Sequence, residues 1–366
     1  MYVVHVLSVV GDFPLDTSAY GGPVTRQSPA GHLISARRDA RCLVSSDTRS
    51  RSSLTDGGPG VTDDGGVKSV GLMTTGEIPS KRSVEERGST ITSRHPVLVY
   101  GLTAFAISWS GVLVAVRSGS LPAAPEEVEA LLPAAIVAML AGPPIAGLLL
   151  IMLRRGRAGV RRALSELLVW RVGLRWYAFA TLTAPLASIL VRVALSAMSP
   201  DENTGGPSSP HPGVAFAIAT ALGAGLFEEI GWTAFATTEL RRRLSVLGAG
   251  VRLGFVWGAW HLLVGFWSSR TYTGDVPVPM FLGIGLFTTL FVYRVLMVWV
   301  YDRTRSLGIA VLMHASLTAC SLLIQPHTSG IRLLSYDVTL AAVLWVVVIT
   351  SAWNGSFSLR SASRYA

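Results

Sequence analysis

Charge is scarce in this 366-residue chain: Asp, Glu, Lys and Arg together make up 14%, where a soluble domain carries roughly 25%. With so few solvating groups and half of the residues hydrophobic, an ordinary water-soluble globule is excluded. Cysteine is nearly absent as well. Cys42 and Cys320 alone cannot build a disulfide framework or a four-thiolate zinc site. Lysine is the third shortage, since 29 of the 31 basic residues are arginine. The formal net charge of +9 would suit a nucleic-acid binder if the cations formed one patch. They are instead dealt out between apolar blocks, so no nucleic-acid partner is expected.

What the chain does have is long hydrophobic blocks. From His95 onward eight of them run over about 97–116, 131–153, 176–198, 213–237, 250–268, 279–301, 306–324 and 336–353, lengths suited to a hydrocarbon core roughly 30 Å thick. Backbone groups facing lipid must be satisfied within their own segment, so such blocks are helices. The expectation is an all-α, polytopic integral membrane protein of about eight transmembrane helices. Arginines follow blocks two, four and six and close the chain, whereas Glu126, Glu127, Glu129, Asp201, Glu202, Asp275 and Asp337 occupy the alternate loops. By the positive-inside bias both termini are cytoplasmic in a multi-pass cell-membrane protein. Residues 158–174 mix arginine with Val160, Leu164, Leu167, Leu168 and Trp170, a pattern for an amphipathic helix on the inner leaflet. Gly250, Gly254 and Gly258 line one helix face with small residues, for close packing.

Residues 1–95 are rich in Ser, Thr, Gly and Arg, show no sustained period and cannot bury a core. They are expected to be a disordered tail, with Met73 a candidate start, before a membrane domain over 96–354 and a short cytoplasmic tail over 355–366. The opening MYVVHVLSVV lacks a basic flank and is too short for a cleaved signal peptide.

Titratable groups at bilayer depth are costly and face the bundle interior, so each is a functional candidate. They are Glu228 and Glu229 in block four, His261 in block five, Arg294 in block six and His314 in block seven. His261 lies nine residues from Arg252 and His314 nine from Arg305, each about 13 Å of helix, while Glu228 lies thirteen from Arg241, about 19 Å. Three helices thus bring a carboxylate and two imidazoles to comparable depth. Two amide-cleaving chemistries use such a set: a glutamate base activating water beside histidine, or a divalent metal such as zinc held by Glu228, His261 and His314. A neutralising ion cluster or a transporter's proton relay draws on the same residue types. No internal repeat is visible, and the polar groups cluster at one depth, which favours a site over a pathway. Arg294 and Arg192 are expected to snorkel to the interfaces, and Trp232, Trp257, Trp260 and Trp267 to serve packing and interfacial roles, the alternative being that they shape a substrate groove around the site.

Three stretches carry a family resemblance. Phe227-Glu228-Glu229-Ile230-Gly231-Trp232 resembles the first motif of the CAAX-protease and bacteriocin-processing family, in which arginine follows four residues after the second glutamate. Trp257-Gly258-Ala259-Trp260-His261 is similar to its second motif, and His314-Ala315-Ser316-Leu317-Thr318 to its third, in which asparagine follows the histidine by four. Thr233 stands in place of the arginine and Thr318 in place of the asparagine. The resemblance, over roughly 213–318, implies an intramembrane protease acting on a membrane-embedded or membrane-associated protein or peptide in the bilayer. It implies that Glu228 and His261 activate water while His314 and Thr318 steady the oxyanion, with Glu229 beside them. The two departures leave open a catalytically silent relative acting as an immunity or scaffold protein, and a substitute for the missing arginine beside Glu229 is the alternative role for Arg294.

Overall fold

The computed structural model describes residues 94–117, 119–198, 213–326 and 328–353. Met73, Cys42 and nearly all of the expected tails lie outside the described residues, as do Asp201, Glu202, His211 and His327. Helices carry the described chain: α1 (Pro96–Ala115), α2 (Pro125–Ser165), α3 (Leu174–Met198), α4 (Val214–Gly231), a wide π-helical turn (Trp232–Thr237), α5 (Thr238–Arg241), α6 (Val246–Trp260), α7 (Leu262–Trp267), α8 (Ser269–Tyr272), α9 (Val278–Phe287), α10 (Thr289–Thr304), α11 (Leu307–Leu323) and α12 (Gly330–Trp353), with no strand among the described residues. The protein is an all-α polytopic membrane protein. Seven helical stretches are long and apolar enough to cross a bilayer, α4 joining α5, α6 joining α7 and α9 joining α10 to make three of them. The seventh expected block is α11, which has 17 residues, about 25 Å of helix and therefore shorter than the others.

Packing is organised around α10, whose side chains from Val292 to Tyr301 are all buried. A helix that is enclosed all round has no polar face to give up. Against it lies α6, and its glycine stripe is the reason the two approach so closely. A Cβ on Gly250 would sit 2.7 Å from the Val295 Cα, and one on Gly254 3.0 Å from the Phe291 Cα. The small-residue face therefore packs helix on helix, as its spacing predicts. In α2, Pro143 has no N–H to offer the Met139 carbonyl four residues earlier. Ser108 of α1 supplies the missing donor, its Oγ bonding to that carbonyl at 2.6 Å.

The amphipathic stretch 158–174 is helical over its first part: Gly156 breaks α2 with φ 63° and ψ −167°, a conformation open to glycine, a separate helical segment then runs to Ser165, and after a 3-10 turn (Glu166–Leu168) residues 169–173 are not helical. Two expectations about loops are corrected. Arg241 is not an interfacial marker. It is fully buried, with its Nε on Asp302 at 2.8 Å and an N–H on the Leu244 carbonyl, because the chain stays helical through this position. Asp337 is likewise not in a loop, since α12 begins at Gly330 and buries it completely, with Gln325 Nε2 at 3.3 Å from its Oδ1.

Candidate active site

Neighbouring residues on a helix point about 100° apart, so Glu228 and Glu229 on α4 look in different directions. Glu229 turns toward α10 and α11, and Glu228 toward α6. Both are buried, at 4% and 0% exposure. Gly225, one turn earlier, lets α4 close on α11, for a Cβ there would lie 2.8 Å from the Val311 carbonyl. That approach places His314 against both carboxylates.

Glu229 is the structural centre. Its Oε1 accepts from His314 Nδ1 at 2.7 Å, its Oε2 from Arg294 Nη1 at 2.9 Å, and the Thr233 hydroxyl also donates to Oε2. Thr233 lies in the wide π-helical turn that follows the two glutamates, and such turns gather at functional sites. Arg294 does not snorkel. Enclosed on α10, it has no route to an interface and is 0% exposed, its guanidinium carbon 4.1 Å from the centre of the Trp257 ring. An arginine thus reaches Glu229 from another helix, while Thr233 stands at position 233. Its Nε and Nη2 find no hydrogen-bond partner among the described residues.

Glu228 is held differently. Trp257 Nε1 donates to its Oε2 at 2.7 Å, and its Oε1 stands 3.6 Å from His314 Nε2, too far for a direct hydrogen bond. His261 sits at the junction of α6 and α7, with Nδ1 2.8 Å from the Trp257 carbonyl. A carbonyl only accepts, so Nδ1 carries the proton and a neutral ring leaves Nε2 as an acceptor. His261 makes no direct bond to either glutamate among the described residues. It reaches the cluster through Trp257, whose ring lies 5.7 Å from it and 5.4 Å from His314. Trp257 opens the second motif, four residues before His261, and that spacing faces both onto the same side of α6; beyond the packing role expected of it, it bonds directly to Glu228. Trp232 and Trp260 do pack, edge to face with ring centres 5.7 Å apart.

Thr318, one turn along α11 from His314, is 5% exposed, and no hydrogen bond of its hydroxyl is recorded among the described residues. For the zinc alternative, no three His, Cys, Asp or Glu side chains among the described residues are arranged to hold a metal ion. His314 engages Nδ1 with Glu229 and His261 engages Nδ1 with a backbone carbonyl, which leaves the Nε2 atom of each ring uncommitted.

Residues 210–320 match the family described as type II CAAX prenyl endopeptidase Rce1-like. Among curated proteins, CAAX prenyl protease 2 of Methanococcus maripaludis is 25% identical over 92 residues, which cover 25% of this chain and 34% of the relative. The match thus spans about a third of that relative's length. Glu228, Glu229, Thr233, His261, Arg294, His314 and Thr318 all lie within the matched segment, and it is on that segment that the chain is similar to this family of proteases.

Proposed function

We propose that this protein is an intramembrane endopeptidase that hydrolyses a peptide bond of a membrane-associated protein or peptide. The observation that carries the reading is Glu228, a buried carboxylate with one oxygen fixed by Trp257 at 2.7 Å and the other turned toward His314 Nε2 at 3.6 Å. A polar separation of that size is bridged by one small polar group, and a scissile amide with its attacking water brings such groups. Glu228 takes a proton from the water, with His261 Nε2 as a second acceptor, and the hydroxide adds to the carbonyl carbon. The tetrahedral oxyanion is met by His314 Nε2–H and the Thr318 hydroxyl. The proton held by Glu228 then goes to the leaving amine as the C–N bond breaks.

Hydrogen bonding supports this division of labour. Glu229 accepts from both His314 Nδ1 and Arg294 and so holds the two as a fixed frame, and the mechanism calls for the second imidazole proton on Nε2, which is turned toward Glu228. No step is routed through a metal, so chelators are expected to leave cleavage unchanged; loss on chelation with recovery on adding zinc would contradict this mechanism. Thr318→Asn supplies the amide that the family carries there, and removal or supply of one oxyanion donor changes rate by about 100- to 1000-fold. A rise in turnover for Thr318→Asn, with substrate affinity unchanged, is expected, and an unchanged turnover would remove Thr318 from the oxyanion site.

The test is direct. Purified protein in vesicles is incubated with a panel of membrane peptides, including a farnesylated peptide ending in a CAAX sequence because of the relative's name, and products are identified by mass spectrometry. Cleavage at a defined bond is expected. A folded protein that cleaves none of them would favour the silent immunity or scaffold reading.

A further inference from the structure

Away from the glutamates, two concavities meet at the arginine-rich end of α1 and α6. One is an apolar groove of about 620 Å³, walled by Leu98, Gly101 and Phe105 of α1, Phe255 and Val256 of α6 and Phe291 of α10. The other, about 260 Å³, is lined by Arg94, Arg154, Arg242, Arg243 and Arg252 together with Glu239. Val97, Leu98, Leu240 and Arg252 line both, so the basic hollow is the mouth of the apolar groove.

The charges of the mouth do not cancel. Its one carboxylate, Glu239, already pairs with Arg154, Arg155 and Arg242. Arg94, Arg243 and Arg252 are exposed and have no ion pair recorded among the described residues. A mouth with surplus guanidinium groups selects a phosphate, to which arginine offers paired donors. The groove behind it selects hydrocarbon. From Val97 to Phe105 it follows α1 for eight residues, about 12 Å, close to one leaflet of a hydrocarbon core about 30 Å thick. Charge at one end and leaflet-deep apolar walls behind it match one molecule.

We propose that this groove is a binding site for an anionic phospholipid, with one acyl chain between α1 and α6 and the phosphate held by Arg243 and Arg252. Basic pockets between transmembrane helices recognise acidic headgroups in this way. The site uses none of Glu228, His261 and His314, so it stands or falls separately from the proposed hydrolysis. It ties the seating of α6, and through it Trp257 and His261, to the composition of the surrounding membrane.

The experiment titrates phosphatidylglycerol and phosphatidylcholine of identical acyl chains into the purified full-length chain in detergent and counts retained lipids by native mass spectrometry. Retention of one phosphatidylglycerol per chain, about tenfold or more over phosphatidylcholine, is expected for two headgroup-facing arginines. Arg243→Gln with Arg252→Gln should remove that preference. Gly101→Leu should lower retention of phosphatidylglycerol itself, because a Cβ there points across the groove toward Val256 at 3.9 Å. Melting temperatures of both variants check that the fold is kept. Equal retention of the two lipids, unchanged retention in either folded variant, or displacement of phosphatidylglycerol by an equal concentration of glycerol phosphate would overturn the proposal, the last because it would reduce the site to a phosphate pocket.

Discussion

Replacing Glu228 by glutamine is expected to lower peptide cleavage by about 100- to 10,000-fold, the contribution of a positioned general base. Glutamine keeps the volume of the side chain, and its carbonyl oxygen still accepts from Trp257 Nε1, the bond that fixes Glu228 at 2.7 Å. What it loses is the capacity to take a proton from water. Substrate affinity, read as KM, should therefore change little while kcat falls. The melting temperature should hold or rise, because a neutral amide costs less to bury than a carboxylate. Full activity in Glu228→Gln would sink the proposed mechanism, whatever the behaviour of the histidines.

Arg294→Ala is expected to produce the largest loss of stability. Arg294 and Glu229 are both 0% exposed and lie 2.9 Å apart, and removing one partner of a buried pair costs about 3–5 kcal/mol because the other charge is left uncompensated. The stacked contact of the guanidinium with Trp257 at 4.1 Å is lost with it. Thermal unfolding in detergent reads the effect. The rescue is the more telling part: Thr233→Arg, made in the Arg294→Ala background, puts a guanidinium on the helix turn whose hydroxyl now touches Glu229, and the deleted side chain leaves room for it. Most of the lost stability should return, whereas Thr233→Leu in the same background should return none. A melting temperature unmoved by Arg294→Ala would show that Glu229 does not depend on this arginine. Cleavage should follow stability across the series, since Arg294 positions Glu229 and Glu229 positions His314.

The site was partly legible because its chemistry is incompatible with its surroundings. Glutamate and histidine inside apolar blocks stand out against lipid, and equal counts from the flanking arginines put His261 and His314 at one level. Arg241, thirteen residues from Glu228, is buried and marks no interface, yet Glu228 does lie beside His314. Which residues touch was not legible. Glu228 and Glu229 are adjacent in sequence, yet one meets Trp257 and the other meets His314, Arg294 and Thr233.

The sequence by itself determined the class of the fold, because hydrophobic length and backbone hydrogen bonding leave a lipid-exposed chain no alternative to helices. It also determined the close seat of α6, since three glycines at spacing four specify small-residue contact wherever the partner lies. Only the tertiary structure decided that Arg294 is a structural partner and not a snorkelling cation, and that Trp257 belongs to the site. The reason is physical: an arginine or an indole on an apolar helix has two low-energy outcomes, reaching an interface or finding a buried acceptor. The packing of α10 inside the bundle and of α6 against it closes the first and presents Glu229 and Glu228 for the second.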